Sequence, residues 1–308
     1  MTDGVLNVNK PAGFTSHDVV AKLRGILRQK KIGHTGTLDP DATGVLPVCL
    51  GKATRLCQFL TDETKSYEAV LLLGQETDTQ DAGGHVTAVH PADCTEEEFR
   101  EAAYSFRGPQ MQIPPMYSAL KKDGKKLYEL ARAGIEIERD PRPVIFYEIE
   151  ILDISLPRAR LHVTCSKGTY IRTLCHDIGT RLGCGACMES LVRTRVGRFR
   201  LEDAVTLEEI SKAAGEGRLA EYVVSVEEMF SHLPCAVTDP SADRLSHNGN
   251  KVPVSKVYTE NGQDTGGISA GDDVQVRLYD SGRTFIGIFV REGDCWKPRQ
   301  MFRGPDKA

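Results

Sequence analysis

Apolar positions along this chain switch between a period of two and a period near 3.6, with no regular strand–helix–strand rhythm. Val5-Leu6-Asn7-Val8 alternates like a short strand and meets the turn signal Lys10-Pro11-Ala12-Gly13. Thr15 is placed to cap a helix whose apolar positions include Val19, Val20, Leu23, Ile26 and Leu27. Residues 29–48 read as one loop, punctuated by Gly33, Gly36, Pro40, Gly44 and Pro47. A strand ending at Leu73, a helix opening at Thr95, an extended connection over 108–115 and a basic helix over 121–133 follow. Two strands, 143–155 and 159–166, flank a turn at Leu156-Pro157, and residues 173–182 have helical periodicity. This pattern predicts a mixed α+β domain and argues against a doubly wound parallel sheet. Beyond residue 233, the segments 252–254, 273–278 and 284–290 read as short strands between Gly/Asp/Ser turns, which predicts a small all-β barrel. At 308 residues the chain has room for two domains, expected over 1–232 and 233–308.

A formal charge of −4 argues by itself against a polyanionic partner, but the distribution argues the other way. Residues 1–60 carry eight Lys/Arg against four Asp/Glu, and residues 157–200 carry nine against two. Residues 61–107 carry three against eleven, and residues 201–232 two against eight. Two basic blocks split by acidic ones can fold into one positive face. A polyanion feels the field within a Debye length of about 8–10 Å rather than the whole-chain total. The same blocks also suit plain solvated surface. No apolar run approaches the roughly 18 residues of a membrane helix, and the start has no basic-then-apolar leader. Nine irregularly spaced cysteines in a chain of this size read as reduced thiols, so a cytoplasmic protein is expected.

The segment Gly33 to Pro47 is the most informative chemically. Its glycines allow close approach of backbone to a ligand, and its prolines stiffen the loop. Two carboxylates, Asp39 and Asp41, stand in an otherwise basic region, where an acid repels phosphates. Asp39 is the candidate nucleophile or general base if a cation keeps it ionised. The alternative is that both acids only hydrogen-bond their own turn, and Asp41 is assigned that role. Ser166 to Leu174 sits in the Arg-rich block at a strand-to-helix junction, where Lys167, Arg172 and free backbone N–H groups make an anion site. The anion is either a phosphate or the Asp39 carboxylate, which an arginine can hold bidentately. Cys184-Gly185-Ala186-Cys187 resembles half of a zinc site with no second pair at useful spacing, so no metal is expected. Trp296 is expected to pack rather than bind. There is no P-loop and no dinucleotide fingerprint.

Taken together, the motifs resemble the bacterial tRNA pseudouridine synthases that modify uridine 55 in the T-loop, the TruB family, over nearly the whole chain. Gly4 to Gly13 resembles the family's opening motif, Gly33 to Pro47 its catalytic loop, and Lys65-Ser66-Tyr67-Glu68 the segment whose tyrosine stacks on the target base. Gln112 to Lys121 resembles the start of an RNA-clamping insertion, expected over about 109–142, and Ser166 to Arg172 the segment whose arginine pairs with the aspartate. Leu245-Ser246-His247-Asn248-Gly249 belongs to a module similar to a PUA-type RNA-binding domain. The resemblance implies a largely antiparallel central sheet flanked by helices, Asp39 as nucleophile, Arg172 as its partner, Tyr67 as stacking ring, and Tyr170 and Leu191 in the pocket. It also implies that His34 fills space vacated in the T-loop. Lys10 is expected to support the loop and is counted with Lys121, Lys122, Lys125, Lys126, Arg132 and Lys167 among the RNA-binding residues. The implied partner is the T-arm of tRNA, with no cofactor, no membrane and no obligate protein partner, in a monomer. Two other readings stay open: a non-catalytic RNA-binding or tRNA-folding protein, and an RNA-guided pseudouridine synthase subunit.

Overall fold

Thr15 caps the first helix with a reciprocal box: its hydroxyl accepts from the Asp18 amide while the Asp18 carboxylate accepts from the Thr15 amide. The same device opens the third and sixth helices, at Thr95/Glu98 and Thr206/Glu209. The computed structural model describes residues 2–122, 124–263, 265 and 274–302. Within it the chain forms two compact units, one of Asn7–Val48 and Leu56–Tyr222, the other of Met1–Leu6, Cys49–Arg55 and Val223–Ala308.

The strands, in chain order, begin with β1 (Gly4–Lys10), β2 (Ile32–His34), β3 (Thr43–Leu50) and β4 (Lys65–Leu73), and continue with β5 (Gln75–Thr77), β6 (Val86–Val89) and β7 (Gly108–Gln112). Next come β8 (Lys121–Lys122), β9 (Lys125–Lys126), β10 (Arg142–Ser155), β11 (Arg158–Cys165), β12 (Ala186–Val196) and β13 (Phe199–Arg200). The helices are α1 (Ser16–Leu27), α2 (Cys57–Thr61), α3 (Glu96–Tyr104), α4 (Leu127–Arg132), α5 (Ile171–Leu182) and α6 (Leu207–Gly215). The sheet of the larger unit runs β1-β3-β12-β4-β11-β10-β7, with β2 on β3 and β13 on β12. It is mixed: β4, β10, β11 and β7 pair antiparallel, and β12 pairs parallel with β3. The two-residue turn at Leu156-Pro157 joins β10 to β11, as its sequence predicts. Phe99 and Ala103 of α3 and Leu174 and Ile178 of α5 bury against Leu71, Phe146, Ile149, Leu161 and Val163 of the sheet. This core fixes α5, and so Arg172 in its first turn.

In the smaller unit, β14 (Val223–Val224) pairs with Val5 and Leu6 at the start of β1. After it come β15 (Cys235–Thr238), the helix α7 (Asp243–His247), β16 (Val252–Pro253), β17 (Val257–Thr259), β18 (Gln275–Tyr279), β19 (Phe285–Glu292) and β20 (Cys295–Met301). The last six strands form a near-closed barrel in the order β16-β20-β19-β18-β15-β17. Trp296 packs at its centre with its indole N–H donating to Thr265 Oγ1 at 3.1 Å. The start of the strand expected at Asp273 lies outside the described residues.

Two expectations need correction. Residues 29–48 are not one loop: β2 and β3 occupy its two ends, because Val45, Leu46, Val48, Cys49 and Leu50 are all buried and tolerate Pro47 within the strand. Residues 121–133 are not one helix: Lys121 pairs with Lys126 and Lys122 with Lys125 in a hairpin, Gly124 turns at φ 83°, and helix begins only at Leu127. The long strand β12, which lies beside β3, has no counterpart in the sequence reading. None of the nine cysteines forms a disulfide. Among the described residues, no helix is long and apolar enough to cross a membrane, and no group of three or more His, Cys, Asp or Glu is placed to hold a metal.

Candidate active site

Asp39 sits on the connection between β2 and β3, and four neighbours fix that connection. Ser16, at the start of α1, accepts the Leu38 amide at 2.9 Å, and the Gly13 amide donates to the Pro40 carbonyl at 3.0 Å. The Ala42 amide returns to the Asp39 carbonyl at 3.2 Å, closing a tight turn. The Lys10 ammonium donates to the carbonyls of Pro11, Phe14 and Pro40. Lys10 is 0% exposed. Its place among residues that contact RNA is therefore a correction: all three N–H donors are spent inside the protein, and it acts as the support of the loop. Burial pulls its pKa down to about 8.

Arg172 reaches the same turn from α5. Its Nε lies 3.0 Å from Asp39 Oδ2 and its Nη2 3.2 Å from Asp39 Oδ1, a two-point pairing. The other donors go to the Tyr117 carbonyl at 2.9 Å, the Thr79 carbonyl at 3.0 Å and Asp81 Oδ2 at 3.3 Å. All five guanidinium N–H groups thus have acceptors, and the side chain is 5% exposed against 36% for Asp39. Burial pushes the Asp39 carboxyl above the usual carboxylate range; Arg172 and Lys10 pull it back, while Asp81 and Asp41 add to the rise. Asp39 is held rigidly yet keeps an open edge, as a nucleophile requires.

The strands behind the loop supply its backing. Tyr67 on β4 is 7% exposed, is buried in one cluster with Leu38, Ala42 and Leu191, and stands opposite Arg193 of β12. Burial pushes its phenol up to about 12. Tyr170 caps the start of α5, where the Gln112 side-chain amide grips its backbone twice, donating to the Tyr170 carbonyl at 2.9 Å and accepting the Tyr170 amide at 2.8 Å. His34 is half-buried, meets the ring of His17 edge-on at 5.1 Å, and accepts the Gly36 amide through Nδ1 at 3.4 Å. Desolvation, helped by His17 and Arg193, lowers its pKa, which favours the neutral imidazole.

The remaining basic candidates lie apart from this pocket in the chain. Lys121, Lys122 and Lys125 are exposed on the hairpin and Lys126 is partly covered. Lys126 and Arg132 both lie over the Tyr128 ring, at 5.3 and 5.4 Å. Lys167 forms an exposed ion pair with Asp62 at 2.8 Å. Sequence reasoning missed Asp81, Arg193 and the Gln112 clamp. Thr77-Asp78-Thr79-Gln80-Asp81, a run of alternating hydroxyl and polar or acidic residues before Gly83-Gly84, is the signal that would have flagged Asp81 as a turn acceptor.

A part-exposed carboxylate gripped by a buried guanidinium, near two tyrosines on a mixed sheet, is the arrangement that the resemblance to pseudouridine synthases implies. Two family models match: the TruB family pseudouridylate synthase N-terminal domain over residues 24–171, and the tRNA pseudouridylate synthase B C-terminal domain over residues 172–231. The chain is 46% identical to the tRNA pseudouridine synthase B of Lachnoclostridium phytofermentans over 97% of its own length and 99% of that protein. It is 50% identical to that of Geobacillus thermodenitrificans, over 80% and 84%. Among solved structures, a chain of an H/ACA ribonucleoprotein bound to a substrate RNA containing 2'-deoxyuridine aligns with 98% of this chain and 86% of its own, at TM-score 0.71 and 27% identity. The chain belongs to the TruB family, and its activity is that of a tRNA pseudouridine synthase, an isomerase.

Proposed function

We propose that this enzyme isomerises uridine 55 in the T-loop of tRNA, with Asp39 as nucleophile. The observation that carries this reading is the two-point Asp39–Arg172 pair with one edge of the carboxylate left open. In the net reaction the N1–C1′ bond breaks, a C5–C1′ bond forms, C5 loses a proton and N1 gains one. Nothing is oxidised or transferred from a donor, so the chain's own residues suffice and no cofactor is called for.

The target base must leave its stack, at a cost of a few kcal/mol. Contact with the Tyr67 ring offsets this by about 1–3 kcal/mol, Leu191 closes the pocket beside it, and the neutral His34 ring takes the space left in the T-loop. Arg172 keeps Asp39 ionised and aimed. Tyr170, whose phenol is held protonated by burial, lines the pocket near C5. Opposed lysines on β8 and β9 repel each other in the free protein, so a phosphate backbone laid across the insertion relieves that repulsion. Arg132 and Lys167 extend the same footing, and the C-terminal barrel acts as a PUA-like RNA-binding module. The enzyme works in the cytoplasm as a monomer. The RNA-guided reading draws on the likeness to the H/ACA ribonucleoprotein chain, but the 46% full-length identity to a bacterial tRNA pseudouridine synthase B is well above the 27% found there.

The test is to incubate the purified chain with unmodified tRNA transcript, map the modified position, and follow tritium release from 5-tritiated uridine. Asp39→Asn abolishes release while leaving tRNA affinity nearly intact. Retained release in that variant, or modification at another position, overturns the proposal.

A further inference from the structure

Arg193 on β12 is 1% exposed, and among the described residues no carboxylate forms an ion pair with it. A guanidinium buried without a counter-ion is costly, so its acceptors are informative. Nε donates to the Val45 carbonyl at 2.7 Å, Nη2 to the Gly36 carbonyl at 3.3 Å and Nη1 to the Thr37 carbonyl at 3.5 Å. Across the antiparallel β12–β4 contact, Arg193 stands directly opposite Tyr67. The three carbonyls bracket Asp39, two before it in the chain and one after, and tie the loop to the strand that runs beside Tyr67. The strands close up to allow this: Arg193 pairs with Gly44 in the parallel β12–β3 contact, where a Cβ on Gly44 would come within 2.3 Å of the Arg193 carbonyl oxygen.

We infer that Arg193 is a positioning residue, which locks the Asp39 loop onto β12, opposite Tyr67 on β4, so that nucleophile and stacking ring keep a fixed spacing as a base enters. The inference rests on the reading of Asp39 as nucleophile. Only a planar fork reaches carbonyls on both flanks of the loop; an ammonium is a single point and cannot.

Single-turnover tritium release and tRNA binding are to be measured on the full chain for wild type, Arg193→Lys, Arg193→Met and Asp39→Asn. Arg193→Lys loses on the order of 100-fold in rate, the penalty of misplacing a reacting group by about 1 Å, with tRNA affinity little changed. Arg193→Met loses at least as much, and its acid limb moves to higher pH than that of Arg193→Lys, because only the methionine removes the positive charge near Asp39. Rates within about twofold of wild type in a folded Arg193 variant overturn the inference, as do rate and affinity falling together with identical pH profiles for the lysine and methionine variants. If Arg193→Met does not fold, the lysine variant decides alone. Turnover by Asp39→Asn defeats the underlying reading instead, whatever the Arg193 variants do.

Discussion

Replacing Arg172 with methionine removes the cation from Asp39 while keeping most of the side chain's bulk in α5. The loss can be worked from the geometry. Two charge-assisted hydrogen bonds at 3.0 and 3.2 Å disappear, but Asp39 keeps 36% of its side chain open to water, which screens the difference. A hydrogen bond to a charged group is worth about 1.5–3 kcal/mol, and the partial exposure argues for treating the pair as one such contribution rather than two. At about 1.4 kcal/mol per tenfold, the chemical step slows by roughly 10- to 150-fold. The loss depends on pH. Asp39 must be ionised to attack, so activity falls as pH drops through its folded pKa, which already lies above the ordinary carboxylate value. Without Arg172 the strongest influence opposing that rise is gone, so the acid limb moves further up and the deficit is larger at pH 6 than at pH 8.5. The assay is single-turnover tritium release with enzyme in excess over tRNA across that range, with binding followed separately. A rate within about twofold of wild type, with an unshifted acid limb, would refute the reasoning.

Charge reversal at Lys121, Lys122, Lys125 and Lys126 weakens tRNA binding and flattens its dependence on salt, by about 0.7–0.9 in slope for each phosphate the hairpin no longer neutralises; an unchanged slope places the hairpin away from RNA. Lys10→Met leaves three loop carbonyls without their donor, so thermal stability and turnover fall while tRNA affinity holds; selective loss of affinity would mean that the lysine reaches RNA after all. Gly44→Ala forces a Cβ to 2.3 Å from the Arg193 carbonyl oxygen at φ +100°, and its melting temperature drops by several degrees, as expected for about 1–3 kcal/mol of backbone strain. Asp39→Asn melts no lower than wild type at neutral pH. Because the folded-state pKa is raised, ionising this group destabilises the folded chain as pH climbs past the ordinary value, and asparagine removes that penalty; a marked fall in melting temperature would contradict it.

Local signals that owe nothing to tertiary contacts were legible. The Thr15 cap, the turn at Leu156-Pro157 and the turn-rich C-terminal strands are written within a few residues of themselves. The Asp39 loop was legible as chemistry because two acids in a basic block need a reason. Its walls were not. Val45 to Val48 reads as loop because glycine and proline punctuate it, and it becomes strand because β3 is seated between β1 and β12. β12 itself mixes Arg193 and Arg195 with Leu191 and Val192, which hides a buried strand behind an apparently solvated charge pattern. The lysine hairpin misled for the opposite reason: four lysines around a glycine fit a helix by composition, and the turn at Gly124 decides otherwise. Asp81 and Gln112 act on residues 91 and 58 positions away, a distance at which a single sequence carries no pairing information.

Three buried cations around the loop divide their labour in a way that bears on how a chain of net charge −4 can work on RNA. Lys10 and Arg193 direct their donors chiefly to backbone carbonyls of the loop. Of the three, Arg172 alone binds carboxylates, Asp39 and Asp81. A carbonyl satisfies a donor without cancelling its charge, so Lys10 and Arg193 fix the loop while their positive field persists around Asp39. A carboxylate partner for either would have held the loop equally well but set another anion against the incoming phosphates. The acidic blocks at 61–107 and 201–232 therefore need not oppose binding, since the potential an RNA meets at the site is set within about 8–10 Å. The Asp39 shift comes first from burial, which raises it, while Arg172 and Lys10 oppose that rise. Of the three cations only Arg172 contacts the carboxylate, which keeps 36% of its side chain exposed.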